Sequence, residues 1–394
     1  MPESTSANGW RKYRFDEMAV MVNDRIDDPS EANVEYYVGL EHLDSESLTI
    51  HRWGSPSDVE ATKLRFRAGD IIFGRRRVYQ RKLAVAHFDG ICSAHAMVLR
   101  AKPDSVLPEF LPFFMQSDLF MERAKEISVG SLSPTINWKT LAKEEFALPP
   151  LEEQRRLVRV LSAIEVPWDR HFRARARLRE LEVSMIDAFI ATLEARGVSP
   201  VRLADLCCDR ASYGLNAPAT EFSKDLPRYL RITDIDEEGG LAMDDPVSVI
   251  VHDPKPYAIK RGNLLFARTG NTVGKAYLAD GTEGNVVYAG YLIRFVPNTD
   301  RVDPRYLFAC TRSSQYRAWI RRKSRVGAQP NINATEYSEL PIWLPTEESE
   351  QQLLLQKWVD IRAARVALLN RMSNLAALKK KVFAAFGAEE HAVV

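Results

Sequence analysis

The chain repeats itself, and the repeat limits what it can fold into. Arg67-Ala-Gly-Asp-Ile-Ile-Phe-Gly-Arg75 returns as Lys260-Arg-Gly-Asn-Leu-Leu-Phe-Ala-Arg268. Val106-Leu-Pro-Glu-Phe-Leu111 returns as Val302-Asp-Pro-Arg-Tyr-Leu307, and Gly130…Pro134-Thr-Ile-Asn137 as Gly327…Pro330-Asn-Ile-Asn333. Ala147-Leu-Pro-Pro-Leu-Glu-Glu-Gln154 returns as Trp343-Leu-Pro-Thr-Glu-Glu-Ser-Glu-Gln351. The offset is 193 at the first match (67 to 260) and 196 near the last (136 to 332), too small a drift for chance. Two related units on one chain predict a pseudo-two-fold object suited to a nearly two-fold target.

Within each unit the pattern reads as mixed α/β. Strands are expected at Tyr36–Leu40, Gly69–Phe73 and Ala96–Leu99, and a helix at Glu109–Phe120. The second unit repeats them at Tyr229–Ile232, Asn263–Phe266 and Tyr291–Phe295, with a helix around Arg305–Arg312. Each unit closes on a Leu-Pro signal, which blocks helix before that point.

A different kind of segment follows each unit. Glycine disappears, good helix formers dominate, and apolar residues recur at alternating spacings of three and four. The first stripe runs through Leu157, Leu161, Ile164, Trp168, His171, Arg175, Leu178, Glu182, Met185 and Phe189. The second runs through Trp358, Ile361, Arg365, Leu368, Met372, Leu375, Lys379, Val382 and Phe386, with Arg365 and Lys379 as charged interruptions. Pro167 is expected to kink the first helix or to start its second part. Neither stripe is stable alone in water, so the two are expected to pair as an antiparallel coiled coil. Glu182, at an interrupting position, is expected to fix the register with Arg365 or Lys379. The predicted organisation is a tail at 1–9, a first α/β domain at 10–150 and a central helix at 151–197. A second domain at 198–345, a last helix at 346–387 and a tail at 388–394 follow.

Composition is that of a globular protein with room for two or three domains at 394 residues. No apolar run reaches the roughly 20 residues a membrane span needs, and Pro2–Asn8 has no apolar leader core. The four cysteines, Cys92, Cys207, Cys208 and Cys310, form no Cys-x-x-Cys pair, which argues against zinc and disulfides and for a cytoplasmic chain. Net charge is only +1, but cations cluster between Lys63 and Lys82 and again at Arg317–Arg325. Local fields of this kind steer a polyanion, although solvated faces also read this way.

Two α/β units, each followed by a Leu-Pro…Glu…Gln phrase and a long heptad helix, resemble the specificity (S) subunit of type I restriction–modification systems. Gly69-Asp-Ile-Ile-Phe73, Ala147-Leu-Pro-Pro-Leu-Glu-Glu-Gln-Arg155, Gly270-Asn-Thr-Val-Gly-Lys275 and the Gly…Ile-Asn turns carry the resemblance over nearly the whole chain. Leu344-Pro345-Thr346 and Pro167 depart from the family pattern. The resemblance implies one target-recognition domain for each half of a split double-stranded DNA sequence. It also implies a helical spacer that docks two methylation subunits, with separate motor–nuclease subunits. S-adenosylmethionine, ATP and magnesium would then belong to those partners, and this chain would bind no cofactor and catalyse nothing. About 40 helical residues at 1.5 Å rise span roughly 60 Å, one to two turns of B-DNA.

The candidate contacts follow from side-chain chemistry. Arg75, Arg76, Arg77, Tyr79, Gln80, Arg81 and Lys82 follow a predicted strand; guanidinium forks match guanine or phosphate, and Gln can pair with adenine. The bland reading is a solvated turn. The equivalent loop offers Arg268, Thr269, Asn271, Thr272 and Lys275, with two glycines that let backbone approach phosphate or a base edge. Ser131, Ser133, Asn331 and Asn333 either touch phosphate or, for Asn137 and Asn333, cap the next helix. Arg321, Arg322, Lys323 and Arg325 are candidate phosphate contacts or a solvated face.

Enzymatic readings are weaker. Gly270–Lys275 places three residues between its glycines and Ala276 after the lysine, so it is not a P-loop. No Asn-Pro-Pro-aromatic or Asp-Pro-Pro-aromatic tetrapeptide is present. Asp58-x-Glu60-x-x-Lys63 is a loose nuclease-like set in a charged stretch. His87, His95 and His252 have no ligand partner at metal spacing. The competing functions are a stand-alone nuclease or methyltransferase, and a coiled-coil scaffold.

Overall fold

The computed structural model describes residues 9–241, 245–324 and 330–391, with side chains to 385. It divides into two compact units, residues 1–175 with 367–394, and residues 176–366. The tails expected at 1–9 and 388–394 lie mostly outside the described residues, although the last helix runs on to His391. Among the described residues no helix is long and apolar enough to cross a membrane.

The first unit is organised by Ile71–Gly74, a strand buried on both sides. Side chains alternate across a strand. Accordingly Ile71 and Phe73 enter a core shared with the helices, while Ile72 enters a second core beneath the other sheet. This explains a continuous apolar run where a one-sided strand would alternate with polar residues. The strand pairs antiparallel with Leu83–Val85 and Ala96–Ala101, and the latter with Ala19–Val22. A second sheet orders Arg25–Ile26, Lys63–Phe66, Gly90–Ser93 and Tyr36–Val38, the last pair being parallel. The helix expected at 109–120 is two helices, Phe110–Gln116 and Asp118–Glu126. Ser117 between them is extended, and its hydroxyl accepts the Phe120 N–H, capping the second helix.

The second unit repeats the plan. Leu264–Ala267 lies between Leu292–Phe295 and Ala276–Leu278, with Leu264 and Phe266 in one core and Leu265 and Ala267 in the other. Its second sheet differs at the edges. The counterpart of Lys63–Phe66 shrinks to one bridge, Ala258 to Val287, because Pro254 and Pro256 supply no N–H for a ladder. The sheet instead grows on the other side through Val247–Ser248 and Thr220–Glu221.

The central helix, Leu151–Ala195, begins after Pro149-Pro150, with Glu152 and Glu153 favourably placed against the positive end of the helix dipole. It stays helical through Pro167 and stops at Gly197, whose φ of +78° allows the Val198 N–H to reach the Leu193 carbonyl. The last helix is Glu348–His391. The glutamine of each Leu-Pro phrase ties the first turn of its helix to the domain before it. Gln154 accepts the Leu107 N–H at 2.9 Å and donates to the Pro149 carbonyl at 3.0 Å. Gln351 accepts the Asp303 N–H at 3.4 Å.

Each unit contains its own length of helix pair. In the second, Glu182 accepts from Arg365 and, at 2.7 Å, from the Trp358 indole, while Arg196 meets Glu350. The partners ascend on one helix as they descend on the other, so the pairing is antiparallel. Arg365 also donates to Glu238, locking the helices to the sheet domain of that unit. In the first unit, Lys379 pairs not with Glu182 but with Glu165 at 2.7 Å, and Glu165 also accepts the Leu48 N–H at 3.0 Å.

Of the residues expected at the helix seam, Leu161, Ile164, Trp168, Trp358 and Met372 are buried. Leu178, Met185, Phe189, Ile361, Leu368, Leu375 and Val382 are half-buried, and the Phe386 side chain lies outside the described residues. In the second half of the central helix the deepest positions are Ile186, Ile190 and Leu193, one place beyond Met185 and Phe189. There the helix shares a core with Tyr306, Leu307 and Phe308 of the sheet domain as well as with Leu354, Leu355 and Trp358. Its apolar stripe therefore follows a globular core instead of a strict heptad seam.

Candidate nucleic-acid interface

In both units the strand at the centre of the first sheet runs into a seven-residue loop closed by the same backbone bond. Gly74 N–H donates to the Lys82 carbonyl at 2.8 Å, and Ala267 N–H to the Lys275 carbonyl at 2.9 Å. Each loop is then zipped to the Gly…Pro loop that follows it in sequence. Arg77 N–H reaches Pro134 O at 2.8 Å and Ile136 N–H reaches Arg75 O at 3.0 Å. The second unit reproduces these bonds with Gly270 to Pro330 and Ile332 to Arg268, both 2.9 Å. The structure therefore brings together the two loop classes singled out from sequence, once in each unit.

The loops differ in what occupies their left-handed positions. The first places Arg77 and Arg81 at φ of +54° and +51°; the second places Gly270 and Gly274 at +67° and +85°. A non-glycine residue there costs about 1 kcal/mol. Arg81 offsets that cost through its side chain, which pairs with Glu46 at 2.7 Å and Asp118 at 2.6 Å and donates to the Gln116 carbonyl. Among the described residues Arg77 makes no such side-chain contact, and it stands exposed beside Tyr79. Arg76 donates toward the His95 Nε2 at 3.0 Å. Burial, then the charges of Arg76, Arg75 and Lys63, hold the His95 pKa below its usual 6.5. Arg75 is half-buried, and Gln80 lies half-buried in the turn. Ser131 is exposed and Ser133 half-buried on the facing loop.

In the second unit Arg268 stacks on Tyr213, 4.8 Å from the ring centroid, and reaches Asn331 at 3.4 Å. Asn271 is exposed, and the Thr272 hydroxyl donates to the carbonyl of buried Thr269. Arg321 and Arg322 are exposed on the helix Ser314–Lys323.

Several cations are spent inside the fold. Lys82 donates to the Leu40 carbonyl at 2.7 Å, and Lys275 to the Ile235 carbonyl at 3.0 Å with Glu237 at 2.9 Å. Buried Lys63 serves the carbonyls of Glu60 and Ala61, and Lys323 lies over Trp319 with Glu339 at 3.6 Å. Asn333 caps the helix Ala334–Ser338, its Oδ1 accepting the Glu336 N–H at 2.9 Å. Asn137 precedes its helix without a side-chain cap bond. Arg325 lies outside the described residues.

Two features were missed in the sequence. His51 is buried between Asp169 at 2.6 Å and Asp44 at 3.3 Å and stacks on Phe172 of the central helix. Val129 and Leu132, on the Gly…Pro loop of the first unit, are 71% and 92% exposed. The run Val129-Gly-Ser-Leu132 displays the second signal, an apolar residue set in a turn, but nothing marks the first.

Both units thus carry paired basic and polar loops on sheet-based domains, and several known proteins resemble this chain. Residues 56–166 match the family described as the type I restriction modification DNA specificity domain. Over 154 residues the chain is 29% identical to the type I restriction enzyme EcoDI specificity subunit of Escherichia coli, a match covering 39% of this chain. The chain spans about a third of the length of that curated relative, 34%. Among solved structures, the type I restriction–modification S subunit from M. genitalium shares the fold, with a TM-score of 0.51 at 13% identity over 97% of this chain and 96% of that one. The HsdS subunit from Thermoanaerobacter tengcongensis aligns over 96% of both chains, with a TM-score of 0.39 at 21% identity. The chain thus resembles type I specificity subunits.

Proposed function

We propose that this chain is the DNA-specificity subunit of a type I restriction–modification complex, reading a bipartite duplex with one recognition domain per half-site. The observation that carries the reading is the loop pair built twice by the same main-chain bonds and presenting different exposed side chains each time. In the first unit Arg75, Arg76, Arg77, Tyr79, Gln80, Ser131 and Ser133 face the DNA; in the second, Arg268, Asn271, Thr272 and Asn331 do so, with Arg321 and Arg322 on phosphate. Arginine forks suit guanine edges and asparagine suits adenine, so the two domains read different half-sites. The chain itself is non-catalytic and cytoplasmic. Its helices dock two methylation subunits, which bind S-adenosylmethionine, and motor–nuclease subunits supply the ATP- and magnesium-dependent steps.

Mapping methylated adenines in host DNA with and without this gene tests the reading. Loss of methylation at one split sequence is expected. Unchanged methylation, or cleavage or methylation by the purified chain alone with DNA, magnesium and S-adenosylmethionine, would sink it.

A further inference from the structure

We propose that Leu132 is an apolar wedge that enters a base step of the half-site read by the first unit. This rests on the specificity reading above and extends it from hydrogen-bonded readout to deformation of the duplex. The loop carrying Leu132 is a closed, rigid device. Val129 and Thr135 exchange both backbone bonds, at 3.1 and 3.0 Å, and the Thr135 hydroxyl donates to the Ser133 carbonyl at 3.1 Å. Gly130, at φ +114°, turns the chain into the tip. A further bridge joins Thr135 to Arg76, and the Arg77 N–H holds Pro134. The most exposed large apolar side chain among the described residues is therefore fixed to the most basic loop.

A leucine held in water on a rigid tip gains nothing until something covers it. The surroundings say what covers it. Arg75, Arg76 and Arg77 stand on the loop zipped to the base of this one, no ion pair to any of the three is found among the described residues, and Ser131 and Ser133 flank Leu132 in sequence. An apolar point on a loop bound to a cationic one, between two hydroxyl residues, matches stacked bases bordered by phosphates, and leucine is among the side chains that separate base steps. An apolar patch on a protein partner would not call for three uncompensated arginines beside it. Insertion unstacks one step and bends the duplex, so sequence is selected by deformability at a position with no hydrogen-bonded readout.

The test uses the full chain assembled with its methylation subunits and the duplex identified by methylation mapping, with 2-aminopurine placed at adenines of the first half-site. The wild-type assembly should raise the probe's fluorescence several-fold on binding. Leu132→Ala should abolish that rise and weaken binding about ten-fold, the worth of one buried leucine, with no change in the salt dependence. Arg76→Ala should do the reverse, reducing the salt slope while leaving the rise at saturation. Because Leu132 packs against nothing, the variant's melting curve should overlay the wild type. Retained fluorescence and affinity in Leu132→Ala would overturn the wedge alone. So would loss of methylation-subunit retention on gel filtration with DNA affinity intact, which would assign Leu132 to a protein contact. A wild-type assembly that holds no duplex would overturn the specificity reading and the wedge with it.

Discussion

The two recognition loops share a length, a closing bond and a zipper, yet one is filled with arginine where the other has glycine. In the second unit Gly270 and Gly274 take the left-handed turns at no steric cost. In the first, Arg77 and Arg81 are forced into them. Arg81 is fastened from three sides, and the result is a stiff platform from which Arg77 projects. The same backbone thus carries a cationic loop in one unit and a polar, glycine-turned loop in the other.

The helix locks differ in the same sense and set the largest expected effect. Glu182 is 3% exposed and holds two buried donors, so Glu182→Ala should cost about 3 kcal/mol in urea unfolding. Glu165→Ala in the first unit should cost less, because the Glu165 side chain is 12% exposed where that of Glu182 is 3% exposed. Equal losses would erase the contrast between the locks. Next in size, removing the charges of Arg75, Arg76 and Arg77 should weaken DNA binding by roughly 10–100-fold and lower the salt slope by about 0.9 for each phosphate left without its cation. Replacing Asn271 and Thr272 with alanine should change half-site preference and leave that slope intact. A slope reduced equally by both sets would mean the loops do not divide the work.

Backbone strain gives a smaller effect. A Cβ on Gly274 would sit 3.0–3.1 Å from Ile320 at φ +85°, so Gly274→Ala should destabilise by about 1–2 kcal/mol. Arg77→Gly, which relieves the same conformation, should be within a few tenths of neutral in stability while losing DNA affinity. The smallest effect concerns His95. Its pKa is depressed in the folded chain, so its contribution to stability is complete above pH 6.5 and is lost as pH falls through the lower folded value. A nearby phosphate would favour the charged ring, so DNA affinity should strengthen modestly below pH 6.5. His95→Gln should flatten that dependence in a fluorescence titration between pH 5 and 7.

The strands and helices were legible because burial on both faces of Ile71–Gly74 and Leu264–Ala267 leaves an unbroken apolar run. Duplication placed the loops in pairs. What stayed hidden depends on neighbours far along the chain. Nothing beside Arg81 announces Glu46 or Asp118, and nothing beside Lys275 announces Glu237. A cation's exposure cannot be read without knowing which carbonyls and carboxylates the fold brings to it. The slip from Met185 to Ile186 has a similar origin: the heptad assumes one partner helix, whereas this one also faces a globular core.

The zipper between the loops is made by peptide groups alone. Side chains at positions 75–80 and 131–135 can therefore be exchanged without untying it, in the way type is reset in a fixed frame. Transplanting residues 268–273 into 75–80 should retarget the first half-site while the scaffold, and whatever docks on its helices, stays as it was.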